Sequence, residues 1–128
     1  MTLQEILSGE SKNVEFKEKL PEKSIKYMKT VVAFANSSGG SLVFGVEDST
    51  CRVVGIDDET IFKTMDAITN AIADCCEPAI YPDVSLQTVE GKTIIVVEIP
   101  IGRQRPYYIE PNPATGGIAR RDFFGSAV

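Results

Sequence analysis

Phe34-Ala-Asn36-Ser37-Ser38-Gly39-Gly40-Ser41-Leu42-Val43-Phe44-Gly45-Val46-Glu47-Asp48 joins an apolar helix to an apolar strand through two adjacent glycines. Glycine just past a helix turns left-handed without a Cβ penalty. Asn36, Ser37 and Ser38 weaken the helix before it, because their side chains compete for backbone groups. A second glycine lets another chain segment or a ligand approach the backbone closely. The residues alone allow two readings: a helix-to-strand corner, or a turn that faces a ligand. Beyond the corner, Ser41 to Val46 read as a buried strand that delivers Glu47 and Asp48 at its far end.

Upstream, Ile25, Met28, Val31, Val32 and Ala35 recur at three- and four-residue spacing, which predicts a helix over about 22–37. Pro21 suits its first turn, and Lys23, Lys26 and Lys29 fall on other faces. Val14 and Phe16 alternate with Glu15 and Lys17, a short strand with the two charges on one face. Thr2-Leu-Gln-Glu5 has the form of a capping box and predicts a helix over 3–8 ending at Gly9. Downstream, Arg52 to Gly55 is expected to return as the second strand of a hairpin. Asp57-Asp58-Glu59 place acids at the start of a helix striped by Ile61, Met65, Ile68, Ile72 and Cys75. Residues 83–99 read as a β-hairpin turning at Glu90-Gly91. Tyr107 to Ile109 is a short edge strand flanked by prolines, and Ile118 begins a last extended piece. Helices mixed with antiparallel hairpins predict an α+β domain, a mainly antiparallel or mixed sheet packed against two main helices.

The chain has 128 residues, enough for one domain with its own core. No apolar run is long enough to span a bilayer, and the first residues lack the pattern of a secretory signal. A cytoplasmic protein without a membrane partner is expected. Three cysteines, Cys51, Cys75 and Cys76, make no disulfide framework. Absence of histidine removes histidine acid–base chemistry, the usual serine triads and most zinc sites. Any catalysis would use carboxylates, lysine, tyrosine or a metal held by oxygen.

The net charge of −5 is unevenly placed. Residues 1–30 carry a net +1, residues 31–100 a net −8 and residues 101–128 a net +2. Basic residues gather at both ends of the chain, around an acidic middle. If the ends meet, they form a basic face on an acidic protein.

Five pieces stand in a set order: Glu10-Ser-x-x-Val14-Glu15-Phe16-Lys17, Val32-Ala-Phe-Ala-Asn36-x-x-Gly39-Gly40, Leu42 to Asp48, Val54-Gly-Ile56 and Arg105-Pro-Tyr-Tyr-Ile109. In that order they resemble the Schlafen AlbA-like domain, from about residue 8 to residue 121. The closing segment, Ala119-Arg-Arg-Asp-Phe-Phe-Gly-Ser126, departs from the family pattern by an extra residue or two. The resemblance implies an α+β domain at the N-terminus of larger bacterial proteins, commonly described as transcriptional regulators with a DNA-binding module. The abrupt end at Val128 fits such an N-terminal part.

For that role, the candidate phosphate contacts are Lys12, Lys17, Lys19, Lys23, Lys26, Lys29, Arg103, Arg105, Arg120 and Arg121. Tyr107 and Tyr108 either stack on bases or pack an edge strand. Binding DNA or RNA would require no cofactor. Vertebrate relatives cleave structured RNA through an acidic triad, which falls here on Glu10, Glu15 and Asp48. Those carboxylates would hold Mg²⁺ or Mn²⁺ to activate water. The plainer alternative makes Glu15 a salt-bridge partner of Lys17 and Asp48 a turn former. A third reading is an interaction module acting as a homodimer. The family's older ATPase description finds no phosphate-binding lysine here, because Ser37-Ser-Gly-Gly-Ser41 lacks the Gly-x-x-x-x-Gly-Lys-Ser/Thr pattern.

Overall fold

A computed structural model describes residues 13–21, 23–50 and 52–109. Six strands and two helices follow one another there: β1 (Val14–Lys17), α1 (Ile25–Ala35), β2 (Gly40–Phe44), α2 (Ile61–Cys75), β3 (Cys76–Glu77), β4 (Asp83–Val89), β5 (Lys92–Ile99) and β6 (Tyr108–Ile109). The predicted helix over 3–8 and the extended piece from Ile118 lie outside the described residues.

The main sheet has the order β1-β2-β5-β4. β1 runs parallel to β2, joined by α1, and the other pairings are antiparallel. The expected mixed sheet and both main helices are present. The register explains why the continuous apolar run of β2 is needed. Leu42 and Phe44 point to the helices, whereas Val43 points to the opposite face with Phe16, Ile94 and Val96. A central strand buried on both faces has no polar side to show.

On the helical face, α1 buries Tyr27, Met28, Val31, Phe34 and Ala35, the spacing of one helical stripe. The Tyr27 ring meets Phe44 edge-on, with centroids 5.7 Å apart. α2 adds Ile61, Ile68, Ile72 and Cys75. Cys75 and Cys76 are free thiols in this core, as small apolar residues would be. The opposite face is closed in part by Val46 and Val53.

Two expectations change in detail. The hairpin predicted at 52–55 amounts to a single antiparallel bridge, Val46 to Val53. Its ladder stops early because Val54 and Gly55 both donate their N–H groups to the one carbonyl of Gly45. The 83–99 hairpin forms in full, with Glu90 and Gly91 both at positive φ (53° and 76°) in its two-residue turn. Tyr108–Ile109 pairs with Cys76–Glu77 in a separate two-stranded sheet.

Candidate nucleic-acid interface

The double-glycine corner is built as a helix cap. Ser37 and Gly39 both donate their N–H groups to the Phe34 carbonyl, at 3.1 and 2.8 Å, and Ser41 donates to Asn13 at 2.8 Å. Gly39 has φ +84°, and a Cβ there would stand 2.8 Å from the Ile99 carbonyl oxygen. Gly40 lies against the Phe34 ring, where a Cβ would meet ring carbons at 2.6 Å. Three of the corner's amides are thereby committed, so it offers no free row of N–H donors to a phosphate.

Asn36 is the corner's tie to the rest of the molecule. Its carboxamide donates to the Tyr107 carbonyl at 2.9 Å and accepts the Tyr107 N–H at 2.7 Å. Next to Asn36 in the chain, the Ala35 carbonyl accepts the Gly102 N–H at 2.9 Å. The Tyr107 hydroxyl accepts from the Gln104 N–H at 3.1 Å. These bonds dock the loop between β5 and β6 on the C-terminal end of α1. Arg103 and Arg105, both exposed, ride on that loop.

The exposed side of α1 carries Lys26 and Lys29, with Lys23 just before it and Lys19 exposed in the preceding segment. The helix therefore links the lysines along its length with the arginines at its end. Lys12, Arg120 and Arg121 lie outside the described residues. Lys17 is half-buried and paired with Glu15 at 3.4 Å, which leaves it less available to phosphate than Lys26.

Glu15 also accepts a 3.0 Å hydrogen bond from the Thr30 hydroxyl of α1. Its side chain thus faces the helix, as the alternation of β1 requires. It is level with Leu42, whereas Asp48 lies in an exposed turn past the end of β2. Of the neighbouring acids, Glu47 organises that turn: Thr50 and Arg52 donate to it at 2.6 and 3.3 Å. Those hydrogen bonds, from Thr50 first and Arg52 second, hold its carboxyl below the usual range. Among the described residues no three carboxylate or cysteine side chains converge as a metal site. Glu10, the third member of the expected triad, lies outside them.

The two tyrosines separate. Tyr107 is 8% exposed and packs, while Tyr108 is 52% exposed. The sequence reading passed over Tyr81, which is 77% exposed. It stands between two clefts. One, of about 450 Å³, is lined by Asn13, the glycine corner, Asp83, Glu98 and Ile101. The other, of about 290 Å³, is lined by Ile80, Ile101, Arg103, Gln104 and Tyr107. Ile80 and Tyr81 lie side by side between Pro78 and Pro82, one buried and the other exposed, and no local pattern marks which is which.

The chain is similar to proteins of several bacteria. It is 27% identical over 132 residues to the uncharacterized ATP-binding protein UU034 of Ureaplasma parvum serovar 3, covering 91% of this chain and 37% of that protein. The chain thus spans well under half the length of this curated relative. Among solved structures, it resembles the N-terminal domain of a RecG-related protein of Nitrosomonas europaea, assigned by name to the ATP-dependent DNA helicases. The TM-score is 0.68 at 27% identity, over 91% of this chain and 82% of that one. The family model for Schlafen, AlbA_2 matches residues 10–122, and the chain belongs to that family.

Proposed function

We propose that this chain is a nucleic-acid-binding module, and more finely the DNA-binding part of a bacterial transcriptional regulator. One observation carries the reading. The Gly102–Ala35 and Asn36–Tyr107 hydrogen bonds bring Arg103 and Arg105 to the end of the helix that presents Lys26 and Lys29. Cations spaced along about 15 Å of helix match the spacing of several phosphates on a nucleic-acid strand. Exposed Tyr81 and Tyr108 add aromatic faces for stacking on unpaired bases. The RecG-related relative, named for a DNA helicase, fits the same substrate class.

Affinity for a DNA duplex and for a structured RNA, measured between about 50 and 200 mM salt, tests the reading. Binding that weakens steeply with salt, and weakens further in the Lys26→Glu, Arg103→Glu double variant, is the expected result. A flat salt response, or no binding at the lowest salt, overturns it.

The nuclease alternative rests on Glu10, Glu15 and Asp48 holding Mg²⁺ or Mn²⁺. The engagement of Glu15 with Thr30 and Lys17 favours a structural part for this acid. Oxygen donors of this kind suit such a metal, but a lysine beside one of them competes for the same charge.

A further inference from the structure

β4 is an edge strand without the usual protection. It is seven residues long and pairs one-to-one with β5 from Asp83 to Val89, with no bulge. It contains no proline and no lysine or arginine. Among the described residues, no strand pairs with its outer side. β1, at the other edge, is only four residues long and carries Glu15 and Lys17. Natural sheets blunt their edges with short strands, inward charges, prolines or bulges. β1 fits that practice and β4 does not.

We propose that β4 pairs antiparallel with β4 of a second copy of this chain, forming an eight-stranded sheet across a two-fold axis at Leu86. The strand is self-complementary about that residue. The axis sets Leu86 opposite its copy, Val84 opposite Thr88, Ser85 opposite Gln87 and Asp83 opposite Val89, whichever alternate residues turn their N–H and C=O groups outward. Val84 and Leu86 are half-buried against the helical core, so a second copy completes their burial.

Charge fits as well. Val89 pairs with Lys92 on β5, and Asp83 and Lys92 lie on the same face of the sheet. Asp83 of one copy therefore comes two strands, about 10 Å, from Lys92 of the other, within reach of a lysine side chain. The two-fold repeats this pair. A heterologous peptide at the same edge would gain the backbone hydrogen bonds but not the paired charges.

The dimer is independent of the nucleic-acid reading: a monomer that binds DNA would overturn the one and leave the other standing. The test is the mass of the full chain by sedimentation equilibrium over a wide concentration range. Wild type is expected at twice the monomer mass. Asp83→Lys and Lys92→Asp should each raise the dissociation constant about tenfold, and the two together should restore it. Leu86→Lys, checked for folding by circular dichroism, should abolish the dimer, while Asp66→Lys on the exposed side of α2 should not affect it. A monomer at every concentration overturns the proposal. So does a dimer indifferent to the three β4–β5 variants.

Discussion

The carboxamide of Asn36 satisfies both backbone hydrogen-bonding groups of Tyr107, accepting from its N–H at 2.7 Å and donating to its carbonyl at 2.9 Å. A residue at the end of one helix thereby fixes a loop 71 positions away. The side-chain amide stands in for a strand partner that the loop does not have.

Replacing Asn36 by Ala should therefore cost more than a cap. It leaves two part-buried backbone groups of Tyr107 without partners, about 2–3 kcal/mol in all. Urea denaturation measures this loss. Nucleic-acid affinity should fall with it, since Arg103 and Arg105 lose their anchor. A loss below about 0.5 kcal/mol, the level of an ordinary surface change, would show that the loop is held by other contacts.

At the corner itself, Gly39→Ala should destabilise by about 2–4 kcal/mol, combining the left-handed backbone with a Cβ pressed on the Ile99 carbonyl. Gly40→Ala presses its Cβ on the Phe34 ring at 2.6 Å, and the core around that buried ring leaves it no room to turn aside. Both variants should therefore melt well below the wild type, and thermal melts measure the two losses.

Stability should decline at alkaline pH. Burial first, and the neighbouring Cys75 second, push the Tyr27 hydroxyl up to about 12 from 10.0. Burial, then Cys75, push the Cys76 thiol up to about 12 from 9.0. Both groups hold their protons longer in the folded chain than in the unfolded one. Their contribution is complete below about pH 9 and is lost as the pH climbs toward 12, by about 1.4 kcal/mol per pH unit for each group in its window. Melts in reductant from pH 8 to pH 11 should show this slope, and Cys76→Ala should flatten it between about pH 9 and pH 10, where Cys76 is the first of the two to act. An unchanged slope in that variant would remove Cys76 as its source.

Glu15→Gln separates binding from cleavage. The amide oxygen can still accept the Thr30 hydrogen bond, but the pairing with Lys17 weakens. A binding module should then hold nucleic acid as well or slightly better, because one negative charge has gone and Lys17 is released. Incubation of tRNA with Mn²⁺ should give no cleavage that depends on Glu15. Cleavage present in wild type and lost in the variant would instead favour the nuclease.

Much of the fold was legible because it rests on local periodicity. Met28, Val31 and Ala35 of the helical stripe, the alternation of Glu15, Phe16 and Lys17, and the Glu90-Gly91 turn each declare themselves within a few residues. Tyr27 and Phe34, outside the expected stripe, are nevertheless buried, whereas Ile25 and Val32 are only half-buried. The Arg52–Gly55 strand was overread, since its ladder depended on which carbonyl Val54 and Gly55 would share. Parts of the candidate site were less legible. Glu15 could be placed on a face, yet nothing nearby in sequence announces Thr30 as its partner. Tyr107 and Tyr108 are adjacent and chemically alike, and only packing makes one a core residue and the other a surface ring.

By itself the sequence determined the two main helices, the four strands of the main sheet, the α+β class, the family and the glycine corner, but not the short strand Cys76–Glu77. These follow from backbone sterics and from apolar spacing, which act over one or two turns of chain. Tertiary structure decided that the Ser41 amide of the corner is bound by Asn13, that Asn36 and the Gly102–Ala35 bond tie the arginine loop to the lysine helix, and that among the described residues no strand pairs with the outer side of β4. Each of these depends on residues tens of positions apart meeting in space, and no local pattern encodes such a meeting.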